Sequence, residues 1–238
     1  MPVNLENQVV LVVGASSGIG RETAILFARA GARVMAAARR EDRLAALKRE
    51  HPSVETAIAD AGRLADMERL ARDTESRLGP IDILVYSTGT NSKDRALISL
   101  TPPKWDMLVS VNLNGAYYIT QAVLPGMRER GQGHIIYVSS ISGIVPDVSG
   151  AAYQAAKRGL IGLAHAIRVE EKEHGIRTCV VCPGLVDTEI LENRLVKPSP
   201  ETLAKALQPV DVAEAILAIA SLPPRAAVPE LQLLPTCL

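Results

Sequence analysis

The chain is poor in aromatic residues. Phe, Trp and Tyr together make up 3% of its 238 residues, with a single Phe and a single Trp, which leaves little material for a base-stacking platform or an interfacial girdle. Net charge is missing as well, because 26 Lys plus Arg stand against 26 Asp plus Glu. A nucleic acid or an anionic membrane surface would call for a basic face, so neither partner is expected. No apolar run approaches the roughly 20 residues that span a bilayer. The N-terminal stretch MPVNLENQ lacks the charged-then-apolar order of a secretion signal. Three cysteines cannot supply a disulfide framework, and a chain of this length buries a core without one. These absences point to the cytoplasm, and no metal centre is expected.

Cys179 and Cys182 form a C-x-x-C, but they lie in the apolar run at 176–182. That run reads as a buried strand, on which positions i and i+3 face opposite ways. A redox C-x-x-C opens a helix, whose dipole lowers the thiol pKa. The pair is therefore expected to be structural.

What is present is ordinary globular composition, 47% hydrophobic and 22% charged, arranged with a clear period. Apolar runs of strand length fall at 8–13, Arg33–Ala38, 54–59, 81–86, 134–139, 176–181 and 228–233. Helix-like stretches lie between them at 20–30, Glu41–Glu50, 63–78, 104–130, 151–174 and 210–221. Runs such as Val9–Val13 are apolar throughout, the mark of strands covered on both faces. Such β–α alternation predicts an α/β fold with a doubly wound, seven-stranded parallel sheet. No linker or repeat divides it, so residues 1–238 are expected to form one domain. The segment 184–204 is irregular, with Pro198 and Pro200 among charged residues. It reads as either a lid or a mobile surface excursion.

The first strand runs into Gly14-Ala-Ser-Ser-Gly18-Ile-Gly20 and then a helix pattern. Glycines let backbone N–H groups approach an anion, and the helix start adds unpaired donors. Placed after the first strand, this loop suggests a nucleotide site. The same residues satisfy G-x-S-x-G, the nucleophile elbow of hydrolases. That rival needs earlier strands for its oxyanion hole and a His after a late strand. His51, His134, His165 and His174 do not provide one. A second cluster, Tyr153-Gln-Ala-Ala-Lys157, follows thirteen residues after Ser140. On a helix Tyr153 and Lys157 stack at i and i+4, where an ammonium could stabilise a phenolate.

In chain order, Gly14-x3-Gly18-x-Gly20, Asn112, Ser140, Tyr153-x3-Lys157 and Pro183-Gly184 together resemble the short-chain dehydrogenase/reductase family, from the first strand to about residue 233. The resemblance implies a three-layer Rossmann-type fold and an enzyme that interconverts a carbonyl and a secondary alcohol by hydride transfer. Tyr153 would be the general acid/base and Ser140 the hydroxyl that holds the reacting oxygen. Lys157 would bind the nicotinamide ribose and lower the Tyr153 pKa, and Asn112 would hold a water joining Lys157 to solvent. Further cofactor contacts are implied at Ser16, Ser17 and Ile19 of the glycine loop, and at Asp60 and Ala61 after the third strand. Gly89 and the run Pro183, Gly184, Val186 and Thr188 complete the set. Ala38 stands where NAD-preferring members carry an acid, and Arg39 and Arg40 follow it, so NADP(H) is the expected cofactor. Asp82 also matches the family pattern.

Three departures stand out. Val13 replaces the usual Thr, Tyr86-Ser87-Thr88 replaces Asn-Asn-Ala before Gly89, and the C-terminus lacks the glycine-rich ending of acyl-carrier-protein reductases. The last favours a hydroxy-acid or small-alcohol dehydrogenase over a 3-oxoacyl-(acyl-carrier-protein) reductase. A non-catalytic nucleotide-sensing protein is the alternative of another class, opposed by the intact Ser140–Tyr153 pair. The substrate is expected between apolar walls formed by Val145, Pro146, Val148, Leu185, Ile190 and Leu191, with Asp147 and Lys93 read either as contacts for a polar substrate group or, preferred, as solvated loop charges. Small residues crowd the 151–174 helix. With the family's habit of pairing this helix and the one before it with symmetry mates, they suggest a homodimer or homotetramer.

Overall fold

The computed structural model describes residues 5–237; residues 1–4, part of the stretch read for a secretion signal, lie outside the described residues. Seven strands form one sheet: β1 (Val9–Val13), β2 (Arg33–Ala38), β3 (Glu55–Ile58), β4 (Ile83–Tyr86), β5 (Gly133–Val138), β6 (Ile176–Pro183) and β7 (Glu230–Leu233). All neighbours pair in parallel, in the order β3-β2-β1-β4-β5-β6-β7. The expected doubly wound α/β sheet is therefore what forms. Its order reverses between β1 and β4, and that switch opens a crevice at the carboxyl ends of the strands.

Apolar alternation builds the layers. Val9, Leu11 and Val13 face one side of β1 with α3 (Leu64–Leu78), α5 (Gly115–Arg130) and α6 (Ala151–Glu171). Val10 and Val12 face the other side with α1 (Gly18–Arg29), α2 (Glu41–Glu50) and α8 (Pro209–Ala220). Each fully buried Val or Leu contributes about 1.5–3 kcal/mol, so both faces of every central strand must be covered. Cys179 falls in the second layer and Cys182 in the first. Both are buried and free, as a period of two requires of an i, i+3 pair.

The helix expected over 104–130 is not continuous. α4 (Pro102–Val109) passes through a π-helical turn, Ser110–Asn114, before α5 begins. At the wider turn Asn112 Nδ2 donates to the Leu108 carbonyl at 2.8 Å, sharing an acceptor of the helix ladder. Such turns concentrate at functional positions. The helix expected over 151–174 ends at Glu171 and tightens into a 3₁₀ turn, Lys172–His174. Segment 184–204 carries a 3₁₀ turn, Glu189–Asn193, and a short helix α7 (Pro200–Ala204). Among the described residues no helix is long and apolar enough to cross a membrane.

Candidate active site

The carboxyl ends of β1, β4, β5 and β6 open into a cavity of about 470 Å³. At the floor, the chain leaves β1 with Gly14 at φ +95°, where an added Cβ would lie 2.8 Å from the Ser87 backbone. Only glycine fits that close approach. Gly14, Ser16, Ser17, Gly18 and Ile19 line the cavity. Gly20 does not; its missing side chain instead gives room to the Gly14 carbonyl. No side chain caps α1 at Ser17, so the first N–H groups of that helix are left for another acceptor.

Beyond the loop, Arg39 and Arg40 border the cavity at the end of β2. The two differ. Arg40 donates to Ser16 Oγ at 3.0 and 3.1 Å, to Ser17 Oγ at 2.6 Å and to Glu189 at 2.6 Å. Arg39 is exposed, with no side-chain partner among the described residues. Asp60 and Ala61 also line the cavity, and Asp60 Oδ1 accepts from Gly62 N at 3.0 Å. The glycine turn, the uncapped helix start and the free Arg39 fit a phosphorylated dinucleotide. These residues would hold its phosphates.

The opposite wall carries the reacting groups. Ser140, Tyr153 and Lys157 all line the cavity. Ser140 follows β5, and its Oγ accepts from Ser142 N at 3.1 Å. Lys157 is buried in α6, donates from Nζ to the Val138 carbonyl at 2.9 Å, and lies 5.7 Å from the Tyr153 ring centroid. The Lys157 carbonyl accepts from Ser139 Oγ at 2.8 Å, which ties α6 to the end of β5. Burial pushes the Tyr153 phenol up to about 12, opposed by the Ser140 hydroxyl and the Arg194 charge and aided by Asp147. Burial pushes Lys157 down to about 8. Ser140 and Arg194 thus act on the Tyr153 phenol from outside its helix, while the Lys157 ammonium, one of its three donors spent on Val138, keeps its charge beside the Tyr153 ring.

Asn112 stands behind this wall, outside the cavity lining. Its Oδ1 accepts from Thr90 N at 3.0 Å, and Nδ2 donates to the Thr90 and Leu108 carbonyls. Both amide donors are spent, and one Oδ1 lone pair remains for a water. Gly89 lines the cavity between the two groups; a methyl there would sit 3.5 Å from Lys157 Nζ and 3.6 Å from Asn112 Oδ1. The departure at Tyr86 now has a structural account. Its buried hydroxyl donates to the Val111 carbonyl at 2.5 Å, bracing the π-helical turn. Gly115 leaves room for that hydroxyl. Asp82 accepts from Val9 N at 2.9 Å and registers β1 beside β4.

Pro183, Gly184, Val186 and Thr188 lie along the rim, and the irregular segment covers it. Thr188 packs over Gly18, and Ile190 reaches to Gly89. Glu189 pairs with Arg40 and Arg43. Arg95 donates from Nη2 to the Asn193 carbonyl at 2.7 Å. Leu185, Ile190 and Leu191 form the apolar wall as expected, but Val145, Pro146 and Val148 do not line the cavity. Val148 is 87% exposed. A polar knot turns that loop outward: Asp147 accepts from Ser142 Oγ at 2.6 Å, Ser149 Oγ at 3.0 Å and Ser149 N at 2.8 Å. Lys93 is exposed and outside the lining too. Arg95, Asn193 and Arg194 line the cavity instead. No period or motif in the sequence marks them, because they reach the site from two loops.

A family model described as short chain dehydrogenase matches residues 8–198. The 3-oxoacyl-[acyl-carrier-protein] reductase FabG of Thermotoga maritima is 32% identical over 229 residues, covering 92% of this chain and 92% of that protein. Levodione reductase of Leifsonia aquatica is 33% identical, covering 85% of this chain and 78% of that one. Among solved structures, the closed form of serine dehydrogenase complexed with NADP+ superposes with a TM-score of 0.87 at 31% identity. That match covers 95% of this chain and 94% of the other.

Proposed function

The chain belongs to the short-chain dehydrogenase/reductase family, and from that premise we propose that it is an NADP(H)-dependent oxidoreductase interconverting a carbonyl and a secondary alcohol. The observation that carries this reading is the convergence of Ser140, Tyr153 and Lys157 on one wall of the cavity that the glycine loop closes. When bound, the nicotinamide supplies the hydride. The chain supplies the rest. A carbonyl oxygen placed against the Ser140 and Tyr153 hydroxyls gains negative charge as its carbon is reduced, and both donors stabilise it there. Tyr153 then yields its proton to that oxygen. A phenol held at about 12 is protonated at neutral pH, the form that can give a proton to the reduced oxygen. The Lys157 ammonium opposes the phenolate charge left behind, and Asn112 keeps the loop after β4 closed against Lys157. The segment 184–204 acts as the lid, and residues 1–238 act as one dinucleotide-binding unit.

The test is NADPH consumption over a broad carbonyl panel, wild type beside Tyr153→Phe. The variant keeps the ring and loses the proton, so turnover falls by about 10²–10⁴ while NADPH still binds. Near-full turnover in the variant would overturn the mechanism. Binding of NADPH without any turnover in the wild type would support a nucleotide sensor instead. A 3-oxoacyl thioester reductase is a second reading, favoured by the similarity to the Thermotoga maritima protein.

We also propose a cytoplasmic homodimer or homotetramer. Tyr117 on α5 and Val169 on α6 are 48% and 60% exposed, as suits helices that meet a second copy. A light-scattering mass of one 25.4 kDa chain at micromolar concentration would refute the assembly.

A further inference from the structure

The substrate end of the cavity holds two guanidiniums that form no ion pair among the described residues. Arg95 is 9% exposed and lines the cavity after β4; Arg194 lines it from the lid. One Arg95 N–H group grips the Asn193 carbonyl, one residue before Arg194, so the same bond that seats the lid also fixes where the second cation stands. Arg194 makes no side-chain hydrogen bond or ion pair among the described residues, and no carboxylate lies within 4 Å of either guanidinium there.

The nearby acids are already engaged. Glu189 is bound to Arg40 and Arg43, and Glu192 to Lys197. Asp147 faces this corner, but its two oxygens accept from Ser142 and Ser149. Arg95, Arg194 and Asp147 together leave one unbalanced positive charge, with the Lys157 ammonium also on this side. The two arginines are close enough for each to feel the other, and Arg194 is close enough to act on Tyr153. Holding like charges together in a part-buried pocket costs free energy that an anion between them would return. A planar carboxylate matches the fork of a guanidinium, and Arg95 has donors to spare.

We propose that Arg95 and Arg194 bind a substrate carboxylate, so that the carbonyl compounds taken by this site are short oxo acids. This rests on the oxidoreductase reading above and adds the substrate class and two specificity residues to it. Reduction would convert the oxo acid to the hydroxy acid, with hydride to carbon from NADPH, a proton to oxygen from Tyr153, and oxidation of NADPH to NADP+. The carboxylate itself is unchanged. Leu185, Ile190 and Leu191 then face the short carbon chain between the two ends.

The experiment compares 2-, 3- and 4-oxo acids, each beside its methyl ester, in the wild type, Arg194→Gln and Arg194→Lys. An ester keeps the carbonyl and loses the charge. In the wild type at least one acid should exceed its ester in kcat/KM by about tenfold to a hundredfold, the worth of one charge-assisted hydrogen bond. Arg194→Gln should collapse that ratio, and Arg194→Lys should restore part of it. Calorimetric titration of the same acids into the enzyme–NADP+ complex gives a readout independent of turnover. Esters matching their acids, or a ratio unmoved by Arg194→Gln, would overturn the anion site while leaving the reductase reading intact. Acid binding that depends on Arg194 without reduction of any carbonyl would sustain the anion site and defeat the reductase reading. Absence of both acid binding and any preference for acids would overturn the proposal even if Arg194→Gln failed to fold.

Discussion

Replacing Arg39 by Ala tests how this site would tell NADP(H) from NAD(H). The two cofactors differ by one ribose phosphate, which in this fold meets the end of β2. Ala38 offers no carboxylate there to repel it. Of the two arginines that follow, Arg40 already bridges Ser16, Ser17 and Glu189, whereas the Arg39 side chain borders the cavity without a partner among the described residues. A charge-assisted hydrogen bond is worth about 1.5–3 kcal/mol, one to two orders of magnitude in affinity. Arg39 is exposed, so solvent and salt screening place it at the low end. NADPH should therefore bind the wild type about tenfold more tightly than NADH. Arg39→Ala should erase most of that gap by weakening NADPH alone. Arg40→Ala should weaken both cofactors, because it removes a brace on the glycine loop that both require. Fluorescence titration of each cofactor against each protein measures this, and raising the salt concentration should narrow the gap. Equal affinities in the wild type, or an unchanged ratio in Arg39→Ala, would refute the reasoning.

Two pH dependences follow from buried groups. Lys157 titrates near 8, so kcat/KM for NADPH should hold steady through neutrality and decline above about pH 8 as the ammonium is lost; a profile flat to pH 10 would contradict that placement. His134 is 3% exposed, and burial and Arg177 push it down to about 3. The folded chain keeps it neutral while the unfolded chain binds a proton below about 6.5, so its contribution is full above about 6.5 and is lost as pH falls toward 3. Between pH 7 and 4.5 this amounts to about 2–3 kcal/mol. His134→Leu should lose less stability over that interval in urea titrations, and parallel losses in the two proteins would count against it.

The sheet was legible because its signals are local. Val9–Val13 must be covered on both faces whatever surrounds it, and the turn from Val13 into Gly14 announces both the strand end and the anion cradle. Tyr153 and Lys157 were legible for the same reason: one helical turn separates them. The interruption at Asn112 was not. No local spacing marks the π-helical turn, and the backbone that Asn112 bonds there, Thr90, lies 22 residues away in the chain.

Electrostatics belonged to the tertiary structure still more fully. From sequence, the Tyr153 pKa falls to Lys157, its nearest cation along the helix. In the folded chain burial raises the phenol, and Ser140 and Arg194, separated from Tyr153 by 13 and 41 residues of sequence, act on it as well. Likewise Val145 and Val148 read as a substrate wall until Asp147 draws Ser142 and Ser149 together and turns that loop to solvent. Hydrophobic period and helix spacing act over a few residues, so the sequence alone determined the order of strands and helices and the one-turn spacing of the reacting pair. Desolvation and charge act through space, so only folding decided which arginines line the cavity, which acids are spent elsewhere, and what proton affinity Tyr153 and Lys157 hold.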